Sequence, residues 1–183
     1  MPDIVDRFDG REPCVPWGQQ FGNAALEIHD QVLTITPAAE FQNSGGCLAN
    51  EPIEFRDGGI FLEVPAVLPA GRGFVAIATQ GGATAPSLVA RDGRLALTAA
   101  GDVVASAPYD ATAMRWWRLR PDRVAGATIA EYAADGRNWT QLGVLDVPPE
   151  PAITFELSGG TDAPDPSPAT ARIAQLGVCP ALR

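Results

Sequence analysis

Arg115-Trp-Trp-Arg-Leu-Arg120 gathers more side chains capable of recognition chemistry than any other stretch of this chain. Read as a strand, it alternates. Arg115, Trp117 and Leu119 share one face, and Trp116, Arg118 and Arg120 share the other. Two guanidinium groups are costly to bury, so the second face is the solvent side and Trp117 and Leu119 belong to the core. A following strand through Ile129-Ala-Glu-Tyr brings Glu131 beside the arginines. An aromatic ring flanked by planar guanidinium and carboxylate groups suits a saccharide, whose C–H faces stack on the ring while the charged groups fix hydroxyls. Trp116, Arg118, Arg120 and Glu131 are therefore the candidate ligand-binding residues. The same residues also admit a structural reading, with Trp116 packed under a loop and Arg118–Glu131 a cross-strand pair.

The elements that position these residues read as short strands throughout. The 19 glycines and 17 prolines are spread along the chain and punctuate it into many turns. Candidate strands are Ile4 to Phe8, Ala25 to Ile28, Val32 to Thr36 and Gly59 to Val64. Phe74 to Thr79 is continuously apolar, which predicts a central strand buried on both faces. Ser87 to Thr98 folds back at Asp92-Gly93, a dipeptide suited to a type I′ turn. Val103 to Ser106, Ile153 to Ser158 and Ala171 to Val178 complete a set of twelve or thirteen strands. Asp110 to Met114 has a helix-friendly composition but is too short to stand alone. Strands at about ten-residue spacing without helices imply a sandwich or barrel.

Bulk properties narrow the function. The 183 residues suffice for one domain, 1–183, with a core from about 4 to 179, and 46% hydrophobic against 19% charged residues is a globular balance. The net charge of −9 repels phosphate backbones, so nucleic acid is not an expected partner. All 13 basic residues are arginine, which fits a coding bias. No apolar run reaches the roughly 20 residues that membrane insertion requires. Met1-Pro-Asp-Ile-Val is not a secretory signal, which leaves a cytoplasmic protein or an excised or mature domain.

Cys14, Cys47 and Cys179 are too far apart for a metal site. Cys14 and Cys47 each lie in a Gly- or Pro-rich stretch near the start of the chain, and they are the expected disulfide; three reduced thiols are the alternative. Trp17, in Pro16-Trp-Gly18, reads as a loop plug. The lone His29 falls in a predicted hairpin turn, and Gly71-Arg-Gly73 and Gly81-Gly82 precede no helix, so neither catalysis nor phosphate binding is expected of them.

Several motifs together resemble the concanavalin A-like lectin/glucanase superfamily, and within it the bacterial non-catalytic modules. They are Asp6-x-Phe8, Cys14-Val-Pro-Trp-Gly18, Leu33-Thr-Ile-Thr-Pro37, the Arg-Trp-Trp-Arg-Leu-Arg strand, and Glu131-x4-Gly136-x2-Trp139. The resemblance implies an all-β, antiparallel two-sheet jelly-roll sandwich. A discoidin-like sandwich is the runner-up, because Asp135-Gly-Arg-Asn-Trp-Thr140 occurs there too. In either fold Gly136 supplies a positive φ and Trp139 plugs the end of the core. Hydrolases on this jelly roll carry paired carboxylates on one strand, as Glu-x-Asp-x-Glu. Glu51-Pro-Ile-Glu54 and Asp162-Ala-Pro-Asp165 do not match, which disfavours a glycoside hydrolase. The superfamily often holds a structural calcium, for which Asp3, Asp6, Asp9 and Asp30 are the oxygen donors at hand; no other cofactor is implied.

The resemblance thus implies a non-catalytic, lectin-like carbohydrate-binding or surface-recognition module of a bacterial secreted or cell-surface protein. Its partner would be a glycan or surface polymer. The alternative is a structural or protein-interaction sandwich, an accessory domain or virion component, whose partner would be a protein.

Overall fold

The computed structural model describes residues 5–10, 12–39, 44–55, 57–80 and 84–178. Among them the regular structure is entirely strand: β1 Val5–Asp6, β2 Gly18–Gly22, β3 Ala25–His29, β4 Val32–Thr36, β5 Ser44–Ala49, β6 Ile53–Glu54, β7 Ile60–Glu63, β8 Phe74–Gln80, β9 Pro86–Arg91, β10 Arg94–Ala99, β11 Asp102–Pro108, β12 Trp116–Asp122, β13 Ala127–Ala133, β14 Thr140–Leu145, β15 Ala152–Gly160, β16 Ala171–Ile173 and β17 Gln175–Val178. All pairings are antiparallel. One sheet runs β1-β17-β7-β12-β13-β14. A larger one runs β11-β10-β9-β8-β15-β5-β2, with β6 also paired to β15. A third, small sheet runs β16-β4-β3.

Strict alternation builds the core. On the larger sheet Val75, Ile77, Leu88, Leu95, Leu97, Phe155 and Leu157 point inward and are fully buried. They meet Ile60, Leu62, Trp117, Leu119 and Leu176 from the six-stranded sheet, and the small sheet adds Leu33, Ile35, Ala171 and Ile173. Trp117 and Leu119 are thus core, as alternation along β12 requires. The Trp117 indole N–H still needs an acceptor, and finds the Met114 carbonyl at 2.7 Å. Residues 110–114 form a single turn rather than a helix, closed by Met114 N–H on the Asp110 carbonyl and capped by the Asp110 carboxylate.

Cys14 and Cys47 are joined by a disulfide and buried. At a sequence separation of 33, the closed loop contributes about 3–4 kcal/mol in the chain-entropy model. Beside it Trp17 is 6% exposed, stacks on Phe155 at 5.2 Å, and donates its indole N–H to Asp6 Oδ2 at 2.7 Å. Cys179 lies outside the described residues.

Several local expectations change. The first strand is only Val5–Asp6, because Phe8 turns into the left-handed region at φ 52°; Ile4 lies outside the described residues. Gly18–Gly22 and Ser44–Ala49 are strands that were not among the candidates. Residues 171–178 are two strands in different sheets, since the chain changes sheets at Ala174, whose N–H bonds the Glu63 carbonyl at 2.8 Å. β8 is central, but its second face is only partly buried: Val75, Ile77 and Thr79 face the core, while on the other side Ala76 is buried and Phe74 and Ala78 are half-buried. His29 pairs with Val32 at the end of β3, and Asp30-Gln31 form the turn, both at positive φ.

Candidate functional site

The outer face of the six-stranded sheet is laid out by register. Arg118 on β12 faces Glu131 on β13 and Phe61 on β7. One step along, Trp116 faces Glu63 and Ala133, and Glu63 in turn faces Gln175 on β17. The register therefore brings Trp116, Arg118, Arg120 and Glu131 to one face.

The charged members are closed on one another. Arg118 Nε and Nη2 each lie 2.7 Å from Glu131 Oε2, and Arg120 Nε lies 3.1 Å from the same oxygen. The Glu131 side chain is 9% exposed and that of Arg118 13%, so this is a largely buried cluster. The other two cations of this stretch are also engaged. Arg115 pairs with Glu63 at 2.7 Å, and Arg123 donates to the Phe55 carbonyl at 2.6 Å.

The aromatic members are arranged differently. Trp116 is half-buried, its ring centroid 6.0 Å from that of Phe61. Beneath Phe61 lies Gly177, where any side chain would collide with the ring. The Trp139 ring lies over the Arg118 guanidinium, 4.1 Å from ring centroid to Cζ, a cation–π contact. Trp139 therefore belongs to this outer face and does not plug the core; its strand neighbours carry it past the edge, onto Arg118.

Together these rings wall a groove of about 600 Å³, lined by Phe61, Trp116, Arg118, Trp139 and Gln175 and by the turn Asp135-Gly136-Arg137. The turn is built locally. Asp135 Oδ1 accepts the backbone N–H groups of Arg137 at 2.9 Å and Asn138 at 2.8 Å, and Oδ2 accepts the Asn138 side-chain amide at 2.7 Å. These bonds favour the carboxylate and hold Asp135 at about 2, with the Asn138 backbone N–H the largest cause. Gly136 sits at φ 68°, and a Cβ there would lie 2.9 Å from the Trp116 ring. The turn thus fixes one side of Trp116 and leaves the groove side open.

Phe61, Trp139 and Gln175 are groove residues that the sequence reading did not assign to a site. Alternation along Gly59–Val64 already puts Phe61 opposite Ile60 and Leu62, but only strand pairing shows that its neighbour is β12.

Of the four candidate calcium donors, the described ones do not converge. Asp6 is committed to the Trp17 indole and to the Phe8 N–H at 2.7 Å, and Asp3 lies outside the described residues. Among the described residues no three His, Cys, Asp or Glu side chains converge as metal ligands.

Comparison with family models and with curated proteins finds no match in sequence. Solved structures do match in shape. The exoplasmic/lumenal domain of VIP36 in a Ca²⁺/Man2-bound form superposes at TM-score 0.63 with 12% identity, covering 99% of this chain and 89% of that one. A seed lectin of Lotus tetragonolobus gives 0.62 with 9% identity and 96% of both chains covered. Arcelin-5, a lectin-like defense protein of Phaseolus vulgaris, gives 0.62 with 8% identity over 96% of each.

The fold is the concanavalin A-like jelly roll.

The likeness spans nearly the whole of each chain and replaces the discoidin-like alternative. On this jelly roll the Trp116 groove occupies the outer face of the six-stranded sheet. The outer face of the larger sheet carries a separate depression of about 460 Å³. Among the described residues no helix is long and apolar enough to cross a membrane.

Proposed function

We propose that the protein is a non-catalytic, lectin-like module that binds a carbohydrate or surface polymer through the groove beside Trp116, as part of a bacterial protein exported to the cell surface or beyond. The observation that carries this reading is the groove's composition. Three aromatic rings, Phe61, Trp116 and Trp139, stand around a space the size of a small ligand, with Asp135, Arg137 and Gln175 at its margin. Apolar walls with a few placed polar groups are what a sugar ring requires.

Trp116 is the stacking platform in this proposal. Arg118, Arg120 and Glu131 act at one remove: their mutual pairing and the contact of Arg118 with Trp139 hold the wall rigid. Several structures of similar fold bear ligands of this class, among them winged bean acidic lectin complexed with methyl-α-D-galactose. The buried disulfide supports an oxidising compartment.

The electrostatics support a binding role over hydrolysis. A glycosidase needs one carboxylic acid held protonated by a raised pKa. Asp135 is shifted the opposite way, and Glu131 is occupied by two guanidinium groups.

The test is a broad glycan array probed with the wild type and with Trp116→Ala, followed by calorimetry on any hit. The expected result is binding that Trp116→Ala weakens about tenfold or more while the melting profile stays cooperative. Silence across the array, or binding indifferent to Trp116, would overturn the proposal.

Exposed valines favour a second reading, a protein-interaction sandwich. Val103 and Val104 on edge strand β11 are 64% and 42% exposed. Open edges presenting apolar side chains pair readily with other chains. Concentration-dependent self-association in light scattering, abolished by Val103→Lys, would support it.

A further inference from the structure

The aromatic wall of the Trp116 groove accepts positive charge as well as apolar surface. The Trp139 ring already carries the Arg118 guanidinium, 4.1 Å from its centroid. Phe61 and Trp116 stand 6.0 Å apart with their planes tilted by 39°, and among the described residues no cation lies over either ring. A cation seated at the opening of that pair comes within about 6 Å of both centroids, the reach of a cation–π contact. Gly136 covers one face of Trp116, where a Cβ would come within 2.9 to 3.3 Å of three ring atoms. A ligand must therefore approach from the groove.

The charged groups in and beside the groove differ in freedom. Arg118 and Arg120 share Glu131, at 2.7 and 3.1 Å. Asp135 is held ionised, but three N–H groups of Arg137 and Asn138 already occupy its oxygens. A carboxylate has about four acceptor positions, so Asp135 offers the groove a field more than hydrogen bonds. That suits a quaternary ammonium, which has no N–H to satisfy, over a primary ammonium, whose N–H groups need acceptors. Arg137 is exposed, and among the described residues its guanidinium meets no carboxylate. Three arginines therefore stand against two carboxylates. A ligand that is only a cation meets that excess of positive charge. A ligand that is only an anion leaves the rings unused. A zwitterion with a quaternary ammonium beside an anionic group satisfies both.

We propose that the Trp116 groove recognises a phosphocholine ester pendant on a surface polymer, an inference that rests on the reading of this groove as the binding site. The trimethylammonium group sits against Phe61 and Trp116 with Asp135 beside it, and the phosphate pairs with Arg137. Guanidinium presents a planar fork that matches phosphate oxygens, which is why arginine suits this role. The methyl groups of a quaternary ammonium spread its charge over an apolar surface, so the rings gain both contact area and cation–π attraction. The groove, at about 600 Å³, is of the size that encloses a whole small ligand rather than a single methylated ammonium. The net charge of −9 opposes the anionic surface of a membrane, so the ester is carried by a polymer and not by a lipid.

The experiment is calorimetry on the full chain with phosphocholine, phosphoethanolamine, choline and inorganic phosphate. Phosphoethanolamine keeps the phosphate and replaces the quaternary ammonium by a primary one. The expected result is phosphocholine bound at least tenfold more tightly than each of the other three. Trp116→Ala should remove about tenfold or more of that affinity. Arg137→Ala should lower phosphocholine to the affinity of choline and leave choline unchanged. Arg137 is exposed and the turn uses only its backbone N–H, so this variant is expected to fold, which circular dichroism checks. The proposal is overturned if phosphocholine does not bind, if phosphoethanolamine binds equally well, or if Arg137→Ala is silent. Phosphocholine-conjugated albumin and phosphatidylcholine vesicles are then compared; vesicles bound as tightly as the conjugate would make the ligand a lipid headgroup and overturn the polymer assignment. Glycans bound through Trp116 while phosphocholine is silent would overturn this inference and leave the sugar reading standing. Phosphocholine binding that Trp116→Ala does not weaken would overturn it as well.

Discussion

Arg118 directs both Nε and Nη2 at one oxygen of Glu131, Oε2, each at 2.7 Å. It does not fork across the two carboxylate oxygens. Arg120 reaches the same oxygen, so one carboxylate serves two guanidinium groups on a face where both partners of the closer pair are largely shielded from water. The consequence is a rigid wall beneath Trp139 rather than a set of free recognition groups.

Removing that carboxylate strands two cations. Breaking a largely buried pair from one side costs about 3 kcal/mol, because the remaining charge is left uncompensated. Glu131→Gln is therefore expected to lower stability by about 3 kcal/mol in urea titration, with an unchanged m-value. A loss below about 1 kcal/mol would mean the cluster behaves as an exposed surface pair.

Gly136 holds the turn beside Trp116 in the left-handed region at φ 68°. A β-carbon there is strained by about 1–2 kcal/mol and would also press on the ring at 2.9 Å. Gly136→Ala should destabilise by about that amount and shift the tryptophan emission as Trp116 is displaced. An unchanged spectrum and an unchanged melting temperature would contradict the contact.

The same turn should respond to acid. Asp135 is held at about 2 against an ordinary 3.8, so the native state favours its ionised form. Its contribution to stability is fully present above pH 3.8 and is lost as pH falls towards 2, when the folded carboxylate takes up its proton. Asp135→Asn should flatten that part of the stability-versus-pH profile. A variant with the same slope as the wild type between pH 4 and 2 would remove Asp135 as its source.

The Tyr109 hydroxyl is buried and has no hydrogen-bond partner among the described residues, while its ring packs edge-on against Trp117 at 6.2 Å. Burial, and secondarily the charge of Asp110, push its pKa up to about 12. An unpaired buried hydroxyl carries an uncompensated desolvation cost. Tyr109→Phe keeps the ring contact and removes that cost, so it should raise stability by about 1 kcal/mol. A loss on substitution would show that the hydroxyl is satisfied.

Periodicity made much of this molecule legible from its residues. Alternation along Arg115–Arg120 placed Trp117 and Leu119 in the core and the tryptophan–arginine set outside, because side chains of a strand must change faces at every step. Asp92-Gly93 announced its hairpin, because few residue pairs tolerate two positive φ values. The motif set pointed to the jelly roll for the same reason: turn chemistry and strand spacing are local properties. What lay beyond reach depended on partners distant in sequence. Trp139 read as a core plug, yet the neighbouring strand sets it on Arg118. Phe61 and Gln175 joined Trp116 only through the register of β7 and β17. Phe74–Thr79 read as buried on both sides, because small apolar side chains look alike whether they pack under a layer or floor an open trough. A sequence specifies which face each side chain takes; only the pairing of strands far apart along the chain decides what that face meets.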